Sequence, residues 1–311
     1  MKIFSEYKPN ESGKGKFLSR LFPELRKLGC DVVFHPDGAD AKLALTRVRM
    51  DHTKHLPCVL RVDGIHLVDN KKNNWNNKRV RSSIKKVDHV IYQSQFAKRM
   101  VNGILKVNPA STVIYNGADP DQYKTNYITN PEDTPGVDVI MVARWADRRH
   151  KRLKEMLQIA EALPQFKFAV CGEIDSDYTP KLVNVNYHGR ISDHALSFLL
   201  RKSKCMLNLG SYDWCPNAVV ESIVAGVPVI GYNDTGIGEL ISNGGGHLLE
   251  PSEKLTPRMI KKEYLPKINI DEAAEEVILT VGLNDSAYKP SLYIKNIAQQ
   301  YYEVFKKVCS I

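Results

Sequence analysis

The chain has 311 residues, 43% of them hydrophobic and 25% charged, with a net charge of +9. That is the balance of a globular protein, long enough for two α/β domains of ordinary size. No apolar run approaches the ~20 residues that a membrane span needs. The opening Met1-Lys2-Ile3-Phe4-Ser5-Glu6 is charged at once and does not read as a signal peptide. Six scattered cysteines form no C-x-x-C pair, so neither a zinc site nor a disulfide framework is expected. The expected compartment is a reducing cytoplasm, with the inner membrane face as a peripheral station.

In chain order, Lys2-Ile3-Phe4 reads as a strand. Gly13-Lys14-Gly15-Lys16 opens a helix whose apolar positions Phe17, Leu18, Leu21, Phe22, Leu25 and Leu28 keep a helical period. Its glycines would let backbone N–H groups approach an anion, and a plain turn accounts for them equally. Strands are expected at 32–34, 42–48 and 58–62. A polar helix ending over 82–87, a strand at 89–92, a helix at 96–105 and a strand at 112–115 follow. Pro120, Pro131 and Pro135 mark a linker. A second alternation then runs through a strand at 137–143, a helix at 153–163, and strands at 166–170 and 183–187. It continues with a helix at 193–202, strands at 205–209, 227–231 and 246–249, and amphipathic helices at 271–283 and 291–308.

Two such alternations predict two doubly wound parallel sheets. The expected boundaries are an N-terminal domain over 1–118, a linker over 119–136 and a C-terminal domain over 137–290, with a cleft between the domains. The final helix, about 291–311, is expected to pack back on the first domain through Tyr301, Tyr302 and Phe305.

The positive charge gathers in two stretches, Lys71 to Lys86 and Arg144 to Lys154. A solvated helix face explains such runs. The alternative is attraction to phosphate in a substrate, an anionic lipid or a nucleic acid. Arg144 ends an expected strand and Lys151 lies at the start of the next helix. That edge of an open α/β sheet is where ligands bind, and a helix N-terminus disfavours cations unless an anion is present.

The densest stretch is Tyr212-Asp213-Trp214-Cys215-Pro216-Asn217-Ala218-Val219-Val220-Glu221, then Ala225-Gly226-Val227-Pro228-Val229-Ile230. It reads as a strand end, a loop with Asp213, a helix opened near Pro216 that carries Glu221, and a glycine-capped exit into the next strand. Carboxylates before and within one helix suit a polyhydroxylated ligand. Phosphates favour the helix N-terminus, so a sugar nucleotide satisfies both.

The acid-x7-Glu spacing followed by Ala-x-Gly-x-Pro-Val resembles the nucleotide-binding half of retaining glycosyltransferases with two Rossmann-like domains. These are the GT-B fold enzymes of the group 1, GT4-like family. The resemblance runs from Gly13 to about Leu249 and implies an α/β GT-B protein. It implies transfer of a sugar, hexosyltransferase-like, from a UDP- or GDP-linked donor to a hydroxyl of a glycan, lipid-linked or protein-linked acceptor. The anomeric configuration would be retained, and no metal or other cofactor would be required.

In that reading Gly13 and Gly15 face the donor diphosphate, while Arg144 and Lys151 hold it as it leaves. Gly189, Arg190 and Ile191 flank the base, Pro216 and Asn217 offer backbone N–H groups, and Glu221 holds the ribose. Asp213 lies by the donor sugar, where the family commonly has Glu. Asp63, after the strand Leu60-Arg61-Val62, is a candidate for contact with donor or acceptor hydroxyls, and His66 is a weaker one. Ala143 and Arg152 stand where the family motif has glycines. The Asn116-Gly117-Ala118-Asp119 segment resembles the family's turn into the linker.

Other readings are a GT-B sugar-nucleotide epimerase or hydrolase, and a catalytically weak sugar-nucleotide binder. The basic 71–86 stretch suggests contact with an anionic membrane. Nothing resembles a nucleic-acid module, and no nucleic-acid partner is expected.

Overall fold

The computed structural model describes residues 1–49, 53–123, 136–146, 148–174, 180–261 and 264–310. Most of the expected linker, 124–135, lies outside the described residues. The chain divides into two compact units, one of 1–118 with 255–264 and 291–311, the other of 119–254 with 265–290.

The first unit contains β1 (Lys2–Ser5), α1 (Gly13–Lys27), β2 (Asp31–Val33), β3 (Ala41–Leu45), β4 (Cys58–Val62), α2 (Lys71–Ile84), β5 (His89–Tyr92), α3 (Gln95–Leu105) and β6 (Ser111–Val113). All strand pairs are parallel, in the order β2-β1-β3-β4-β5-β6. α1 forms because its apolar residues fall on one face, and Ser12 caps it by accepting from Gly15 N at 3.2 Å. That face packs on Ile3, Leu43, Val59 and Ile91. The C-terminal helix, Ile294–Cys309, adds Ile297, Tyr301 and Phe305 to the same core. Gly117 permits this return, since a Cβ there would lie 2.8 Å from Ile297 Cγ1 and 3.0 Å from Ile294 Cα.

The second unit contains β7 (Val137–Val142), α4 (Leu153–Ala162), β8 (Phe168–Cys171), β9 (Val185–Gly189), α5 (Asp193–Lys202), β10 (Ser203–Leu207), α6 (Asn217–Val224), β11 (Val229–Tyr232), α7 (Gly236–Ile241), β12 (Gly246–Leu249) and α8 (Ile270–Leu283). Its parallel order is β12-β11-β10-β7-β8-β9. This is the doubly wound order of a nucleotide-binding fold, with a reversal between β7 and β10. In the first unit the strand order reverses between β1 and β3. Each reversal opens a crevice at the carboxyl ends of the strands, and the polar clusters described below lie at those two edges.

Several boundaries shift by one to three residues from the sequence expectation, and three differences have a visible cause. The strand expected to reach Val48 stops at Leu45, because Thr46 has φ +64° and Arg47 N donates to Leu45 O at 2.7 Å. A positive-φ turn of this kind is strained, more so at a β-branched residue. The strand expected from Val183 starts at Val185, after a turn closed by Val185 N on Leu182 O at 3.2 Å. Lys151 does not start a helix. It ends a short 3-10 turn, Arg149–Lys151, and Arg152 at φ +64° separates that turn from α4.

Candidate functional site

The crevice of the second unit is bounded by the segment after β7 and the loop after β10. Arg144 follows β7 by two residues. It is 64% exposed and faces the exposed Glu173, with Nε 3.5 Å from the carboxylate. Lys151 is the opposite case. Only 12% of its side chain is exposed, and its ammonium is paired with Asp213 Oδ2, itself 12% exposed. The structure therefore brings Lys151 and Asp213 together and leaves Arg144 outside their pair.

The two segments are laced along their length. Ser211 N donates to His150 O at 2.8 Å. The buried Arg152 donates to Ser211 Oγ at 3.0 Å, to Glu155 Oε1 at 2.8 Å and to Pro266 O. Where the family motif has glycine, this chain holds a left-handed arginine in place by these three contacts. Tyr212, at the tip of the β10–α6 loop, also has positive φ, +59°. Strained backbone that persists is held by its surroundings, and such residues cluster at sites. Burial, aided by the cations of Lys151, Arg148 and Arg152, pushes His150 down to about 4 against a partial opposing effect of Asp213. The ring is therefore neutral at physiological pH.

α6 starts at Asn217 after the N-cap Pro216, and carries Glu221 buried at 6% exposure. The next helix, α7, supports the loop from behind. Gly236 N donates to Asp213 O at 2.9 Å, and a Cβ on Gly236 would lie 1.9 Å from Trp214 O. On the far side of β7, Gly189 ends β9 at φ +60° and accepts from Gly172 N at 2.6 Å. Arg190 is exposed and Ile191 half-buried, just before the Ser192 cap of α5.

The first unit has a cluster of its own at its reversal point. Gly13 and Gly15 lie in the first turn of α1, and a Cβ on Gly15 would lie 2.2 Å from Asn10 O. Between them Lys14 reaches Thr46 Oγ1, and its Nζ lies 3.3 Å from Asp63 Oδ2. Asp63 also accepts from Thr46 Oγ1 at 3.1 Å and from Arg61 Nη1. Both carboxylate oxygens of Asp63 are thus engaged, and its side chain is 9% exposed against 36% for Lys14. Lys14 is the outward-facing member of the cluster. His66 is exposed, with backbone N–H and C=O bonded to the Asn77 side chain.

Behind Asp63 stands a buried cation. Arg61 is 1% exposed and stacks over Phe17, with Cζ 4.2 Å from the ring centroid. Its Nη2 donates to Asn116 Oδ1 at 2.6 Å and to Gln93 Oε1 at 3.3 Å. Asn116 is more than a turn residue, because it binds the cation that holds Asp63. Lys14, Thr46, Arg61, Gln93 and Asn116 join the site only through the structure. For Thr46, Gln93 and Asn116 the available signal is a polar residue shortly after the end of a strand, whereas Lys14 lies in the first turn of α1 and Arg61 within β4. The six cysteines are free, and burial pushes the thiols of Cys58, Cys171 and Cys205 up to about 12, so these three are packing groups.

Two family models match this chain. Glycosyltransferase Family 4 covers residues 5–122, and Glycosyl transferases group 1 covers residues 129–263. The chain belongs to the group 1 glycosyltransferases. No curated protein sequence matches it. Among solved structures, this glycosyltransferase is similar to WaaG, a glycosyltransferase involved in lipopolysaccharide biosynthesis. The TM-score is 0.66 at 12% identity, covering 100% of this chain and 99% of that one. It is similar to Anabaena HepE in complex with UDP-glucose, with TM-score 0.63 at 16% identity over 98% and 99% of the two chains. A third is AviGT4, a glycosyltransferase involved in avilamycin A biosynthesis, at 0.60 and 14% over 100% and 98%. At these identities the likeness is one of fold, the two-domain GT-B architecture.

Proposed function

We propose that this glycosyltransferase moves a sugar from a UDP- or GDP-linked donor to an acceptor hydroxyl on a glycan or glycolipid, with retention and without a metal. The observation that carries the reading is the Lys151–Asp213 pair beside α6, with Glu221 buried on that helix. A lysine held by a carboxylate at a sheet's reversal point can change partners. When a diphosphate enters, the ammonium moves to its oxygens, and Asp213 is freed to accept sugar hydroxyls. Glu221 accepts from the ribose. The HepE complex with UDP-glucose supports a uridine diphosphate donor in the same fold.

The bond from the anomeric carbon to the phosphate oxygen then breaks, and its electron pair goes to the phosphate. Lys151 and Arg144 meet that charge, an electrostatic contribution of several kcal/mol. The acceptor oxygen attacks from the side that the leaving group vacates, and its proton passes to a phosphate oxygen. Neither step calls on an enzyme nucleophile.

A panel of UDP- and GDP-sugars tests this, first by thermal shift and then by turnover with and without chelator. A donor at a hundred times its Kd adds about 2.7 kcal/mol of stability. Turnover that survives chelator and gives an α-product from an α-donor is expected. Glu221→Gln should weaken donor binding more than it lowers kcat. Turnover lost in chelator and restored by Mg²⁺ would overturn the metal-free part. Absence of any nucleotide-sugar binding would overturn the whole reading.

A further inference from the structure

The basic stretch at 71–86 lines the exposed face of α2 and runs on into the turn that follows it. Lys71, Trp75, Lys78, Ser82 and Lys85 recur at i, i+4, i+7, i+11 and i+14, and all are exposed. Lys72 and Arg79 flank that stripe on one side and Arg81 on the other, also exposed, and the exposed Lys86 follows in the turn. The opposite face, with Asn77, Val80, Ser83 and Ile84, is buried. No acid occurs between Asn70 and Val87. Of the two acids that bracket the stretch, Asp69 is tied to the first turns of α2 and Asp88 to β4. Asp69 Oδ1 accepts from Asn74 Nδ2 at 2.8 Å, and Asp88 Oδ2 accepts from Cys58 N at 2.8 Å. A segment bridged to the start of this region at Val68 and Ile260 adds the exposed Arg258 and Lys261.

At the centre of the stripe lies Trp75, 57% exposed, with the Arg79 guanidinium 4.5 Å from its ring centroid. More than half of the Trp75 side chain still lies in water, and transfer of that apolar surface to a bilayer interface is favourable. An indole flanked by cations suits the headgroup level of a bilayer, where its ring is half apolar and half wet. We propose that this face of α2 docks on an anionic lipid surface, with Trp75 at the interface and the lysines and arginines against lipid phosphates. The face is convex, about 20 Å long, and carries a single aromatic. A membrane plane meets such a shape along its length. A single-stranded nucleic acid calls instead for a groove with successive stacking platforms.

The test uses the full chain with vesicles of phosphatidylcholine alone or mixed with phosphatidylglycerol. Binding is expected only with the anionic lipid, falling as salt rises, at roughly fivefold per basic residue removed. Lys78→Glu/Arg79→Glu should then lower partitioning more than tenfold. Trp75→Ala should weaken it severalfold, while donor turnover in solution stays at the parent's level in both variants. Trp75 itself reports depth. Its emission, taken as the difference between the parent and Trp75→Phe, should shift to the blue and be quenched by brominated lipid. The other two tryptophans are less exposed. Equal binding to neutral vesicles overturns the proposal. So does binding to anionic vesicles that survives the double charge reversal, or an unshifted Trp75 on bound protein. Capture by RNA or heparin without vesicle binding would make the face a polyanion site instead.

Discussion

Arg152 shows how a single residue departs from its family motif without losing the geometry. Glycine occupies left-handed backbone without steric cost, whereas arginine at φ +64° is strained and relies on its three contacts. Arg152→Ala removes the contacts and keeps the strain; Arg152→Gly removes both. Both variants should unfold earlier in urea than the parent, by about 2–3 kcal/mol for the alanine. The glycine variant should sit about 1 kcal/mol above the alanine variant. Equal midpoints for the two would remove the strain account.

Lys151 and Arg144 separate by burial in the same way. Lys151→Met should lower kcat roughly 10²-fold with a smaller change in donor KM, since charge on the leaving oxygen grows in the transition state. Arg144 is exposed beside Glu173, so Arg144→Ala should cost less. Combined with Asp213→Asn, the Lys151 loss should be non-additive, because the two side chains are one pair. Additive losses measured by steady-state kinetics would mean that they act independently.

At the scale of elements, what holds the β10–α6 loop is another helix's start. α7 is short, and its Thr235 cap accepts from Ile237 N at 3.1 Å. Gly236 lets that start press against Trp214 O. Gly236→Ala forces the backbone of one segment to move, at a cost of roughly 1–3 kcal/mol. Because Gly236 N also holds Asp213 O, the displacement should reach the site and raise donor KM at a temperature where the variant is folded. A lower Tm with unchanged donor KM would show the contact to be structural alone. In the first unit the corresponding support is Arg61. Arg61→Lys keeps the charge but loses the planar fork shared by Asp63, Asn116 and Gln93. It should reduce kcat while leaving nucleotide affinity near the parent's.

For the molecule as a whole, acidity is the readily tested variable. Burial lowers the affinity of His89 and His150 for a proton, His150 to about 4. An unfolded histidine titrates near ~6.5. Between these values the unfolded chain binds more protons than the folded one, so stability falls as pH drops from ~6.5 toward 4. A series of melts should show Tm declining over that window. His150→Gln should flatten the decline by its own share, whereas a slope unchanged by the substitution would place the proton uptake elsewhere.

Much of this protein was legible in the sequence because its signals are local. Alternation of apolar runs with amphipathic periods gave the parallel sheets, and β4, β5 and α5 fall at the expected residues. The loop with Asp213, the helix start at Pro216 and the buried Glu221 lie within one short stretch, so spacing alone located them. What tertiary structure decided is pairing between distant strand ends. Arg61, Gln93 and Asn116 lie on different strands' edges and meet only when those strands align in one sheet. Likewise, a lysine and an aspartate sixty-two positions apart face each other because the strand order reverses between β7 and β10. Hydrophobic periodicity fixes which residues enter a core; which charges then neutralise one another depends on strand order, and no local pattern carries that.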